Sequence, residues 1–112
     1  ICLHKCIKND TMLVSFRSDK DKKKYEDQAA LSKAHGVLMA KKIIQRISEI
    51  QAAPNPQKLP PSARFHEHGG NRKGLFSLDL VHPFRLIIRP TNKYDSYVEI
   101  TEVEIYEIID PH

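Results

Sequence analysis

The chain has no tryptophan, only two cysteines and four glycines, and no apolar run of membrane-spanning length. Each shortage removes a class of protein. Cys2 and Cys6 both precede Met12, so no disulfide framework can tie the body of the chain, which suits a reducing compartment. Without roughly 20 consecutive apolar residues, or a leader with an apolar centre and a small-residue cleavage site, the expectation is a cytoplasmic protein that does not enter a membrane. Cations are missing from one region: beyond Lys93 there is no Lys or Arg, while Glu99, Glu102, Glu104 and Glu107 follow one another. That last segment is acidic, so a surface for polyanions must be built mainly from the residues before it.

What is present fits one core. At 112 residues the chain is long enough for a single modest domain and too short for two. Lys and Arg total 18 against 14 Asp and Glu, giving a pI of about 9.1, a mild excess that suits nucleic acid without demanding it. Residues 1–11 read as an upstream extension or an expression remnant, because Met12 opens the first strand-like run. Residues 12–112 read as the single domain.

Mixed charges over residues 17–24 describe a solvated loop and a first helical turn rather than a dedicated binding tail. Ser18 or Asp19 can cap a helix reaching about His35, which Gly36 ends. A second helix follows, with Ala40, Ile43, Ile44, Ile47 and Ile50 on one side and Lys41, Lys42, Gln45, Arg46 and Glu49 on the other. This stripe is core, and the helix should stop near Ala53, ahead of Pro54. Residues 54–61 carry four prolines and read as an extended connector.

From Ala63 the period changes to two. Phe76, Leu78 and Leu80 alternate with Ser77 and Asp79, and after a His82-Pro83 turn Phe84, Leu86 and Ile88 alternate with Arg85, Ile87 and Arg89, each strand having one buried and one wet face. Residues 92–96 form a polar turn, and residues 97–109 a long strand whose pattern slips near Glu102, the sign of a bulge. The expected class is α+β, an N-terminal strand and two helices packed on an antiparallel meander.

Several side chains in this meander carry chemistry. Arg85 lies opposite Leu86 on a rigid element, where a guanidinium can grip a phosphate through two hydrogen bonds or pair with an acid of the last strand such as Glu104. Arg64 and Arg89 add cations on either side. Arg72 and Lys73 occupy a glycine-flanked turn, either a phosphate-binding loop or a plain solvated turn; the Gly-Lys-Ser/Thr of a nucleotide-binding loop is absent. His66 and His68 share a strand face, a weak metal signal without a third ligand, so no metal or cofactor is expected and acid–base work suits an imidazole better.

The run Arg64-Phe65-His66-Glu67, then Arg72-Lys73-Gly74-Leu75-Phe76-Ser77, the strand Phe84-Arg85-Leu86-Ile87-Ile88 and the closing Asp110-Pro111-His112 resemble the HigB-type toxins of the RelE/ParE superfamily, the killer proteins of plasmid maintenance systems. The resemblance spans residues 12–112. It implies a RelE-like fold and a metal-independent endoribonuclease that cleaves mRNA on the ribosome. It further implies a helix-turn-helix, HigA-like antitoxin as partner, with DNA contacted only through that antitoxin. Residue by residue, it implies that His66 and His112 move protons, Arg85 holds the scissile phosphate with Arg72 or Lys73, and Asp110 orients His112. The chain departs from the family at Pro111, where a tyrosine is usual, and at Gly69, where a lysine is common; Tyr106 can supply a phenol from the same strand. The alternative is a non-catalytic binding protein on this scaffold, either a relative of the ParE-type gyrase poisons or a degenerate toxin kept for antitoxin binding and regulation.

Overall fold

Isoleucines at helical spacing decide how the layers meet. The computed structural model describes residues 11–67 and 74–110. Its longest helix runs over Val37–Ala52 and buries Met39, Ala40, Ile43, Ile47 and Ile50. They pack against Phe76, Leu78, Leu86, Ile88, Val103 and Ile105 of one sheet. Ala53 turns extended ahead of Pro54, which ends the helix as the sequence predicts.

Among the described residues, the helices before it number two, not one. Helix α1 covers Asp19–Glu26, with the Ser18 hydroxyl accepting from the Asp21 N–H at 3.1 Å, and α2 covers Gln28–His35. Asp27 divides them because its carboxylate accepts from the N–H groups of Ala29 and Ala30, and a residue capping one helix cannot continue another. Gly36 then separates α2 from the long helix, α3, at φ +92°, where a side chain would be strained.

Among the described residues the sheet has five strands: β1 Leu13–Phe16, β2 His66–Glu67, β3 Phe76–Asp79, β4 Arg85–Pro90 and β5 Glu102–Ile109. Their order is β1-β5-β4-β3-β2. The meander from β2 to β5 is antiparallel, but β1 lies parallel to β5, Val14 opposite Val103, so the sheet is mixed rather than wholly antiparallel. The α+β class and the packing of helices on an N-terminal strand and meander hold; the helix count and the sheet type differ.

Smaller differences have local causes. The bulge falls at Tyr106, not Glu102: Ile88 faces Ile105 and Ile87 faces Glu107, leaving one unmatched residue between. β5 begins only at Glu102, because residues Tyr97–Glu99 wind into a 3-10 turn. The proline connector is not extended either, since Asn55 caps a 3-10 turn over Pro56–Lys58 and a second covers Pro61–Ala63. Phe84 stays in the turn before β4 and is 37% exposed instead of extending the buried row.

Arg46 departs most from the pattern. It sits on the side of α3 that reads as solvent, yet it is 3% exposed. The folded connector covers it, and its guanidinium answers by donating to the Asp79 carbonyl at 2.7 Å, the Ser62 carbonyl at 2.9 Å and Glu49 at 2.7 Å. A buried cation with each of its three nitrogens donating ties helix, connector and β3 together.

Candidate functional site

One side of the sheet carries the helices, and the other side gathers the polar residues. Cross-strand partners project to the same side, so the register His66–Ser77 between β2 and β3 and Asp79–Arg85 between β3 and β4 puts these four together. They face away from Phe76, Leu78 and Leu86, which belong to the core.

Hydrogen bonds fix the imidazole. His66 Nδ1 lies 2.6 Å from the Arg64 carbonyl, which can only accept, so Nδ1 carries the proton and donates. Neutral His66 then has its lone pair at Nε2. Two donors address it, the Ser77 hydroxyl at 3.1 Å and Arg85 Nη1 at 3.2 Å. The Arg64 carbonyl is aimed by the backbone: Arg64 is the one non-glycine residue at positive φ among the described residues, at +49°. A left-handed arginine costs of order 1 kcal/mol and persists where surrounding contacts hold it.

Asp79 organises the cations. Its carboxylate lies 3.5 Å from Arg64 Nη1 and 4.0 Å from Arg85 Nε, and its carbonyl is the one held by Arg46. Two guanidiniums share one carboxylate beside the imidazole, and Glu107 lies in the same cross-strand row, opposite Ile87, the partner of Ser77. Among the described residues no group of three or more His, Cys, Asp or Glu is placed to hold a metal ion.

Beside this cluster, Pro60, Pro61, Arg64, Phe65 and Tyr97 line a hollow of about 550 Å³. Phe65 stacks on Phe76 with centroids 4.8 Å apart, and Tyr97 meets both rings edge-on. Burial, and then the nearby Glu67 carboxylate, push the Tyr97 phenol above its ordinary value. The phenol donates to that carboxylate at 3.4 Å.

The candidates from sequence therefore divide. His66, Arg85 and Arg64 meet. Arg89 does not join them, because Glu104 takes it at 3.0 Å and 3.2 Å; the acid expected as an alternative partner for Arg85 serves Arg89 instead. Asp110 is exposed, one residue past Ile109, the register partner of Arg85. Arg72, Lys73, His68 and His112 lie outside the described residues. Tyr106 is engaged by Arg17, whose guanidinium stands 4.3 Å from its ring centre.

Sequence reasoning missed Ser77, Asp79 and Arg46. The signal for the first two was present, since period-two alternation puts them on the side of Arg85. Ser77, however, is fully buried rather than wet, with its hydroxyl against the His66 imidazole. Nothing local flagged Arg46, whose role depends on where a distant connector crosses.

Comparison with protein-family models, with curated proteins and with solved structures finds no match to this chain.

Proposed function

We propose that this protein is the RelE-like toxin of a bacterial type II toxin–antitoxin pair, a metal-independent endoribonuclease that cleaves mRNA on the ribosome. The observation that carries the reading is the contact of His66 Nε2 with Arg85 at 3.2 Å on the side of the sheet away from Phe76, Leu78 and Leu86. An unprotonated imidazole nitrogen beside a guanidinium is what phosphodiester transesterification requires. His66 takes the proton of the RNA 2′-hydroxyl as that oxygen attacks phosphorus. Arg85, with Arg64, stabilises charge on the non-bridging oxygens as the P–O5′ bond breaks. The products are a 2′,3′-cyclic phosphate and a 5′-hydroxyl, the leaving oxygen receiving its proton from a second group; the sequence resemblance names His112 as the other proton-moving residue without fixing which of the two is the acid.

Pro111 favours a second reading, a degenerate toxin or a gyrase poison that keeps the scaffold for binding, because proline has neither hydroxyl nor N–H to offer a substrate. Induction in a bacterial host separates the two. Growth arrest with mRNA cut to cyclic-phosphate ends, lost in His66→Ala and Arg85→Ala, is expected. Intact message with broken DNA, or no arrest at all, overturns the ribonuclease reading. A helix-turn-helix antitoxin encoded in the adjacent reading frame belongs to either toxin-fold reading.

A further inference from the structure

The α2–α3 junction and the β3–β4 turn leave a hollow of about 510 Å³ lined by Ala34, His35, Val37, Leu38, Val81 and Phe84 among others. Its apolar residues are poorly covered. Leu38 is 76% exposed, Val37 58%, and Val81 and Phe84 37% each. Adjacent apolar side chains exposed from two separate elements form a patch, which is unlike the single exposed leucines any surface carries.

Charge says what covers it. Between Asp27 and Glu49 the chain holds Lys33, Lys41, Lys42 and the buried Arg46, and no acid. Lys41 and Lys42 follow Leu38 by three and four positions on α3, so they rise on the same side as the exposed leucine. The turn opposite, residues 80–84, has no acid either. α3 begins at Gly36 with no side-chain cap and no acid in its first turn, so its positive end is left for a carboxylate from elsewhere. His35 adds a fourth sign: its Nε2 is buried and has no hydrogen-bond partner among the described residues.

We infer that this hollow is a docking site for an acidic amphipathic segment of a partner protein, one that inserts two large apolar side chains three or four residues apart between Leu38 and Phe84 and sets carboxylates against Lys41, Lys42 and the start of α3. Apolar anchors give such a contact its affinity, and the lysines select the sign of the partner. The chain's own residues 1–10 have the wrong charge, with Lys5 and Lys8 against Asp10. The inference does not rest on the ribonuclease reading, because it concerns a different surface and is read by binding alone.

The test is selection of a random 16-residue peptide library on the intact protein, with counter-selection on Leu38→Asp, a change at an exposed position that leaves the core alone. Enriched peptides are expected to pair large apolar residues at a spacing of three or four with an excess of Asp and Glu. They should bind Leu38→Asp and Phe84→Ala at least tenfold more weakly, and Lys41→Glu/Lys42→Glu weaker still as salt is lowered. Amide shifts on titration should centre on residues 34–39 and 81–84. No enrichment over the counter-selection, a basic consensus, or shifts centred elsewhere overturns the inference. So does sedimentation showing that the patch joins two copies of this chain, or co-sedimentation with anionic lipid vesicles that Leu38→Asp abolishes.

Discussion

Arg85 Nη1 lies 3.2 Å from His66 Nε2, a donor directed at the one imidazole nitrogen that the Arg64 carbonyl leaves unprotonated. A cation and a base thus share one point in space, reached from two strands that are not neighbours in the sheet. β3 lies between them, and its Ser77 and Asp79 steady the imidazole and the guanidinium.

Removing either member should be costly for RNA cleavage. Arg85→Ala is expected to lower the cleavage rate about 100-fold or more, and His66→Ala by roughly 100- to 10,000-fold. Arg85→Lys should recover little, since an ammonium cannot reach the phosphate and the imidazole in the same fork geometry. Single-turnover cleavage of a defined RNA measures all three; equal rates for wild type and His66→Ala would remove His66 from the chemistry.

Ser77→Ala should act more gently. The hydroxyl is one of two donors to Nε2, so its loss is expected to slow cleavage less than tenfold while stability changes by about 1 kcal/mol. Urea unfolding paired with the same cleavage measurement separates the two effects. A loss as large as that of His66→Ala would mean that the serine itself reacts.

Arg46→Ala should damage the fold more than the chemistry. It strips the Asp79 and Ser62 carbonyls of their donor and leaves Glu49 unpaired, for an expected loss of about 3 to 5 kcal/mol in urea unfolding. Arg46→Met, which refills the volume without the charge, should recover part of it. If Arg46→Ala unfolds like wild type, the connector is held by something else.

His35 gives a pH dependence whose direction follows from its surroundings. Burial first, and then the nearby Lys24 charge, hold its imidazole below the ordinary 6.5. The unfolded chain therefore binds a proton at a pH where the folded one does not, so stability is lost as pH falls through 6.5 and levels off once the folded value is passed. Thermal midpoints at pH 7.5 and pH 5 should fall less in His35→Gln than in wild type. An identical fall in both would show that His35 does not contribute.

Much of this arrangement is legible in the sequence where one periodicity dominates. The isoleucine stripe of α3 is found on the sheet as read, and Phe76 and Leu78 of β3 take the core side as read, but Ser77 between them is buried instead of wet. Legibility fails where side chains choose their partners across the fold. Asp27 has the charge of any exposed helix residue, and only its hydrogen bonds to Ala29 and Ala30 reveal a break. Arg46 shares its charge with Lys41 and Lys42, but only it lies under the connector. For the site, alternation predicts that Arg85 leaves the core side, whereas the pairing of His66 with Ser77 depends on a cross-strand register that the local sequence around His66 does not announce.

The placement of β5 between β1 and β4 bears on synthesis. Among the described residues, the first strand gains its one sheet neighbour when a segment beginning 86 positions after its last residue docks beside it, Phe16 being followed so much later by Glu102. Loop closure over that span is slow compared with local helix formation. A nascent or prematurely ended polypeptide lacking β5 therefore has its three helices but no support along the far side of β4. Translation must run to its final strand before the polar cluster gains a rigid footing.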